Sequence, residues 1–269
     1  MPRLHLHILG SGSKGNCALI EGPQGLIMVD DGLSRRETLK RMAELGLSAD
    51  DVSALVVTHE HGDHIKGLEV WCKHWNGPVF SSRGTLTSKE SLAHLPVEEF
   101  DPGDTLSIAG VCIQTYSTSH DVVNPVGYRF DAQGDSIGFA TDTGALSKHA
   151  IDTLKDCRIL ALESNHDVAM LRQGDYPRFL QERILSAKGH LSNDQAAEAA
   201  RALVTDHTEQ LIAMHISQDN NRPSLTVKSY ANSLGATLDN ELGSTATRVE
   251  GLHKLTIRPA GQYRPMTIQ

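Results

Sequence analysis

The densest chemistry in the chain lies in seven consecutive residues, Thr58-His59-Glu60-His61-Gly62-Asp63-His64. Three imidazoles and a carboxylate within six positions are the ligand types that borderline divalent metals take, and a tight loop can turn alternate side chains toward two separate ions. The apolar run Ala54 to Val57 leads directly into them, as a short buried strand delivering a ligand loop would. A solvated polar loop with incidental histidines is the competing reading. An apolar strand feeding His-x-His-x-Asp-His makes it much the poorer one.

Several elements must position that loop. Leu4, Leu6 and Ile8 alternate with His5 and His7, the period of a half-buried strand that ends in the glycine-rich turn Gly10 to Gly15. Ala18 to Glu21 and Leu26 to Val29 read as a hairpin around Gly22-Pro23-Gln24-Gly25, and its second arm stops at Asp30-Asp31-Gly32. Ser34 with Glu37 forms a capping box for a helix running to about Leu45 and closed by Gly46. Further strands are predicted at Val79 to Ser81, Val111 to Tyr116, Val126 to Phe130, Ile137 to Ala140, Ile159 to Leu162 and Gln210 to Met214. Helical patterns cover His64 to Lys73, Lys148 to Lys155, Tyr176 to Ser186, Asn193 to Leu203, where Ser192 and Gln195 form a second capping box, and Ser224 to Ser233. Hairpins early and strand-helix alternation throughout predict an α/β fold, an αββα sandwich of two mixed sheets flanked by helices, as a single domain over residues 1–269. The Gly-, Pro- and Thr-rich tail from Gly243 holds one strand-like stretch, Leu255 to Arg258.

Composition narrows the class. In 269 residues, 25 Lys and Arg face 33 Asp and Glu, a formal charge of −8, which excludes a strongly basic nucleic-acid-binding domain. Bound cations and a few local basic groups can still reverse the field where an anionic substrate sits. Cys17, Cys72, Cys112 and Cys157 form no Cys-x-x-Cys pair, so neither a disulfide framework nor a cysteine zinc site is expected, and they read as small buried hydrophobes. No signal-peptide pattern and no membrane-length apolar run is present, so a cytoplasmic protein without membrane contact is expected. Histidine, at 14 residues, is abundant.

The His59-to-His64 string resembles the metal loop of the metallo-β-lactamase-fold hydrolases. The resemblance implies further ligands at the ends of later strands, and the chain supplies them in order: His120 in Ser117-Thr-Ser-His-Asp121, Asp142 in Thr141-Asp-Thr-Gly144, and His215 in Met214-His-Ile-Ser217. By the family's assignment His59, His61 and His120 hold one ion, Asp63, His64 and His215 the other, and Asp142 bridges them. Two divalent ions, Zn, Mn or Fe, are implied. Asp30 matches the carboxylate that the family places behind the loop to orient it, with Asp31 beside it leaving the register open by one position.

Glu163 in Leu162-Glu-Ser-Asn-His-Asp167 and His190 in Lys188-Gly-His-Leu-Ser192 are similar to a Glu and His pair of the tRNA 3′-processing ribonucleases, which protonates the leaving alkoxide. A carboxylate that holds an imidazole in the donating tautomer suits phosphodiester cleavage better than β-lactam opening. Asp63, Glu163 and His190 are thus the residues expected in the chemistry itself. The strings Leu9 to Asn16, Glu163 to Asp167 with Met170-Leu171, and Gly189 to Asn193 resemble the YycJ/WalJ-like branch, over about Leu9 to Pro223. That branch implies a metal-dependent nuclease with 5′-to-3′ exonuclease action, on DNA more than RNA, in which a hydroxide bridging two ions attacks phosphorus. The glycine-rich string lacks the spacing of a nucleotide-binding phosphate loop and reads as a turn on the rim of the site, with Ser11, Ser13 and Lys14 as phosphate contacts.

The interval from Asp142 to His215 leaves no room for the large inserted domain of RNase J-type nucleases, and that from His64 to His120 little for the flexible arm of tRNase Z. Grip would fall to short loops carrying Arg35, Lys66, Lys73, Arg172, Lys188 and Arg222. One rival function is a small-molecule hydrolase, such as a cyclic phosphodiesterase or a thioester or lactone hydrolase. Another is a metal-binding scaffold or redox partner, disfavoured because the diiron flavoprotein relatives carry a carboxylate where this chain has His61. Oligomeric state is not legible in the sequence.

Overall fold

The computed structural model describes residues 3–269. The chain divides into two compact units. The first runs through Ser117 and adds Val122–Asp135 and Gly261–Gln269; the second takes Thr118–Asp121 and Ser136–Ala260.

In the first unit, β1 (His5–Gly10) pairs antiparallel with β2 (Cys17–Gly22), and β2 with β3 (Gly25–Val29). From β3 the chain crosses through helix α1 (Arg35–Glu44) to the parallel strand β4 (Val52–Val57). Ser34 caps α1 by accepting from the Glu37 N–H. Two short helices, α2 (Gly62–Ile65) and α3 (Leu68–Cys72), precede the parallel strands β5 (Val79–Ser82) and β6 (Val97–Phe100). The C-terminal strand Met266–Ile268 pairs with β1, so the seven-stranded sheet runs C-terminal strand, β1, β2, β3, β4, β5, β6. Leu19, Met28, Leu55 and Val57 of the sheet share one core with Met42 of α1 and Trp71 of α3. The same unit holds the antiparallel strands β7 (Thr105–Ile108), β8 (Val111–Ser117) and β9 (Val126–Ala132). Ala109 and Gly110 turn β7 into β8 with φ of 49° and 75°, the paired left-handed residues that a tight hairpin needs.

The helix expected from His64 to Lys73 is broken at Gly67. A Cβ there would lie 2.0 Å from the Leu33 carbonyl oxygen and 2.6 Å from Oδ2 of Asp31, and the Gly67 N–H donates to the Asp31 carbonyl at 2.7 Å. The break presses the backbone behind the metal-type loop against the turn that follows β3, a contact only glycine permits.

In the second unit, β10 (Asp135–Ala140), β11 (Ile159–Glu163) and β12 (Gln210–Met214) are parallel neighbours. Beyond β12 lie β15 (His253–Pro259), parallel to it, then β14 (Ala246–Glu250) and β13 (Thr237–Leu238), both antiparallel. Helices α4 (Lys148–Leu154), α5 (Val168–Gln173), α6 (Arg178–Leu185), α7 (Asn193–Leu203) and α8 (Pro223–Leu234) fill the connections. The Ser192 and Gln195 capping box forms at α7, and Tyr230 of α8 donates to the Leu162 and Glu163 carbonyls at the end of β11.

Each unit therefore carries a mixed sheet with helices, as expected. Five strands and one helix were not: β6, β7, β13, β14, the C-terminal strand and α5. The four cysteines are free; Cys17 and Cys157 are buried as expected, Cys72 is half-buried, and Cys112 is exposed because it sits on the outward position of β8. Among the described residues no helix is long and apolar enough to cross a membrane.

Candidate functional site

In the first unit β4 hands over to the loop Thr58–His64, and β3, its parallel neighbour, hands over to Asp30. Asp30 takes a left-handed φ of 59°, which Asp tolerates better than most residues, and its N–H still donates to the Val56 carbonyl. This turn aims the carboxylate along the loop. It accepts the Thr58 N–H at 2.7 Å on Oδ1, and the Thr58 hydroxyl at 2.7 Å and His64 Nδ1 at 2.8 Å on Oδ2.

These bonds set the proton positions of two histidines. His64 gives its Nδ1 proton to Asp30, which places the lone pair on Nε2. Thr58 spends its hydroxyl proton on Asp30, so its oxygen accepts from His59 Nδ1, 3.0 Å away, and the His59 lone pair also falls on Nε2. Asn16, at the end of the glycine-rich turn, donates from Nδ2 to His64 Nε2 at 3.0 Å and to Asp63 Oδ2 at 3.2 Å. Asp63 Oδ2 and His64 Nε2 are 3.7 Å apart. The His59 and His61 rings meet edge-on at 5.0 Å. His59 and His64 are buried, while His61 and Asp63 are half-buried. Imidazole nitrogens fixed as acceptors beside an ionisable carboxylate fit divalent ions of the zinc type.

Of the two neighbouring carboxylates, Asp30 is the one that bonds to the loop. Asp31 turns the other way, accepting the Thr38 hydroxyl of α1 at 2.8 Å. Burial pushes its acid up to about 7, against the Thr38 hydrogen bond and helped by the charge of Asp30. Gly32, next in the turn, lies so close to the loop that a Cβ would stand 1.6 Å from the Asp63 carbonyl oxygen.

In the second unit three strand ends converge. Asp142 follows β10 with φ 51°, Glu163 ends β11, and His215 follows β12 with φ 52°. His215 Nδ1 is 3.2 Å from both Asp142 Oδ1 and Glu163 Oε1. His190, just before α7, places Nδ1 at 2.7 Å from Glu163 Oε1 and 3.7 Å from Asp142 Oδ1. Ligand atoms of Asp142, Glu163, His190 and His215 all lie within 4.8 Å of one another. His120 gives its Nδ1 proton to the Gly189 carbonyl at 3.1 Å, which again leaves the lone pair on Nε2, 4.0 Å from Asp142 Oδ1.

Glu163 is fully buried, which by itself would raise its acid, but the charge and hydrogen bond of His190, with the hydrogen bond of His215, hold it below the ordinary carboxylate range. Its other oxygen accepts the Thr143 N–H at 2.8 Å. The pair is thus a carboxylate and an imidazole whose Nδ1 proton is committed to it. Of the six basic residues considered for grip, Lys66, Arg172, Lys188 and Arg222 are exposed, Arg35 is half-buried, and Lys73 pairs with Glu69 at 2.7 Å. Ser13 and Lys14 are exposed on the glycine-rich turn, whereas Ser11 is buried.

Sequence reading missed three polar residues that position the others: Asn16, Thr58, and Asn165, which donates to the His215 carbonyl at 2.9 Å. Their only signal was adjacency to the histidine and carboxylate strings.

A family model for the beta-lactamase superfamily domain matches residues 26–216. The chain is 36% identical over 226 residues to the exodeoxyribonuclease YycJ of Bacillus anthracis, covering 82% of this chain and 86% of that one. It is 33% identical over 233 residues to the exodeoxyribonuclease WalJ of Streptococcus pneumoniae, covering 84% and 87%. The crystal structure of the metallo-β-lactamase fold protein YhfI from Bacillus subtilis superposes over 99% of this chain and all of that one, with a TM-score of 0.70 at 14% identity. The expected fold is borne out, and it implies use of divalent metal by the His and Asp clusters. With the model match and both relatives spanning most of its length, the chain belongs to the beta-lactamase superfamily of hydrolases, in the YycJ and WalJ-like branch.

Proposed function

We propose that the chain is a metal-dependent phosphodiesterase, a nuclease that removes nucleotides from the 5′ end of DNA in the cytoplasm. The observation that carries this reading is the 2.7 Å contact between His190 Nδ1 and the buried Glu163 carboxylate. The two relatives are exodeoxyribonucleases, which supports a DNA substrate.

His59, His61, Asp63 and His64 of the first unit and His120, Asp142 and His215 of the second would supply the ligands for two divalent ions. Two such ions, when bound, would neutralise charge on the phosphate and lower the pKa of water to about 7, supplying a nucleophile at neutral pH. Asp30 and Thr58 keep the His59 and His64 lone pairs on Nε2, and the Gly189 carbonyl does the same for His120. Hydrolysis forms a bond from water oxygen to phosphorus and breaks the bond from phosphorus to the departing sugar oxygen. That oxygen leaves poorly as an alkoxide. His190, protonated on both nitrogens while Glu163 holds Nδ1–H, delivers the Nε2 proton to it, and Glu163 stabilises the imidazolium until then. The neutral imidazole regains a proton from solvent for the next turnover.

The test is a digestion of end-labelled single- and double-stranded DNA and RNA at controlled salt, after metal removal and after readdition. Mononucleotides released from the 5′ end of DNA only when metal is restored would bear the proposal out. Failure to cleave any polymer, with hydrolysis of a small phosphodiester or a thioester retained, would replace it with a small-molecule hydrolase.

A further inference from the structure

A second cluster of ligand-type side chains lies on the first unit's sheet, on strands remote in sequence from the His59-to-His64 loop. Its origin is strand geometry. Alternation puts His5 and His7 of β1 on one face. The antiparallel register sets Glu21 of β2 directly opposite His5, while Thr267 of the C-terminal strand stands directly opposite His7. That face is the one on which α1 and α3 pack, since His7 pairs with Leu19, a member of the core those helices close.

The three side chains aim at one point. His5 Nδ1 is 2.9 Å and His7 Nε2 3.1 Å from the same oxygen, Glu21 Oε2. One ligand atom from each of the three lies within 4.8 Å of the others. His7 Nδ1 bonds Thr267 Oγ1 at 2.9 Å, the kind of outer partner that orients a metal-binding imidazole and sets its tautomer. Without an ion His7 Nε2–H donates to Glu21 Oε2 and Nδ1 accepts the Thr267 hydroxyl; rotation of that hydroxyl to accept Nδ1–H instead would free the Nε2 lone pair for a cation seated between His7 and the carboxylate.

We propose that His5, His7 and Glu21 form a further binding site for a borderline divalent cation of the zinc type, held by two imidazole nitrogens and one carboxylate oxygen. Zinc bonds of about 2.0–2.2 Å in a tetrahedral site set neighbouring ligand atoms roughly 3.3 Å apart, so the two His–Glu21 separations of 2.9 and 3.1 Å would open by only a few tenths of an ångström. His7 is 4% exposed, but His5 and Glu21 are 30% and 44% exposed, so the ion would be reached from solvent and completed by water. Its role would be structural, a clasp joining β1 and β2 and, through Thr267, the C-terminal strand. It does not depend on the reading of the hydrolytic activity.

The experiment counts zinc per chain by elemental analysis after desalting from zinc chloride at neutral pH, for the wild type, His5→Gln and Glu21→Gln. Each variant should hold one zinc fewer than the wild type, with unchanged circular dichroism and unchanged turnover of an activated aryl phosphodiester. Cobalt loaded in place of zinc should give a wild-type-minus-His5→Gln difference spectrum with the visible bands of a four-coordinate site. Wild-type zinc content in either folded variant would overturn the proposal. If one variant fails to fold, the other decides, since Glu21 lies at the exposed end of the cluster.

Discussion

The Nδ1 atom of His190 lies 2.7 Å from Oε1 of Glu163, a carboxylate with no exposed surface at the end of β11. That geometry fixes which nitrogen of His190 can face a substrate. It also separates two kinds of leaving group, because only a basic one needs the proton.

Replacing His190 with Ala should lower turnover of an ordinary DNA diester by about 10²–10⁴-fold while sparing most of the turnover of an aryl phosphodiester, whose leaving group departs without a proton. Comparing kcat on the two substrates checks this. Equal losses on both would remove the proton-donor role. Glu163→Gln should show the same contrast in weaker form, because it leaves the imidazole in place but unsupported.

Asp30→Asn should weaken metal affinity by roughly 10–100-fold without unfolding the chain. Asn accepts the left-handed φ of 59°, so the turn survives. It lacks the second anionic oxygen that collects the Thr58 hydroxyl and His64 Nδ1–H, so the His59 and His64 protons are no longer fixed. Zinc titration against a chromogenic chelator reads the change; unaltered affinity would mean that Asp30 does not orient the loop.

Asp31 makes stability depend on pH in a direction opposite to that of most carboxylates. An unfolded Asp ionises near pH 4, and the folded group at about 7. Between these values the folded chain holds the additional proton, so stability declines as pH rises from about 4 to about 7 and then levels off. Asp31→Asn removes the charge while keeping an acceptor for Thr38. It should flatten Tm against pH over this range and raise Tm at alkaline pH by roughly 5 °C. A parallel curve for the variant would assign the slope to other groups.

Gly32→Ala should cost at least about 3 kcal/mol, since its Cβ would overlap the Asp63 carbonyl oxygen and neither backbone can yield cheaply. Thermal melting and zinc content should fall together, because the displaced segment carries Asp63 and His64. A variant that melts like the wild type would show the turn to be more pliable than its spacing implies.

Much of the fold, and the residue types gathered at the candidate site, are legible in the amino-acid sequence. Apolar runs such as Ile159–Leu162 and Leu211–Met214 are buried on both sides, so their strands stand out, and the histidine or carboxylate after each is conspicuous by position. The edges were not legible. Strand β6 reads Val97-Glu98-Glu99-Phe100, with both glutamates exposed, and it is a strand only because β5 offers it a partner. The break at Gly67 was hidden for a related reason: its cause is the Asp31 to Leu33 turn, far away in sequence. Asn16 and Thr58 escaped notice because an amide or hydroxyl has no role until its neighbours are placed, whereas clustered imidazoles announce themselves. The choice between Asp30 and Asp31 likewise depended on a backbone torsion that residue type alone does not reveal.

Asp30, Asp142 and His215 share one backbone trait, a left-handed turn immediately past a buried parallel strand. Glycine and asparagine adopt that torsion readily, so at these positions the residues that best preserve folding are ones that abolish acidity or imidazole chemistry. A saturation library scored separately for cellular abundance and for enzymatic output should therefore diverge most sharply at these three codons, offering inert yet well-folded proteins as controls and as traps for uncleaved substrate.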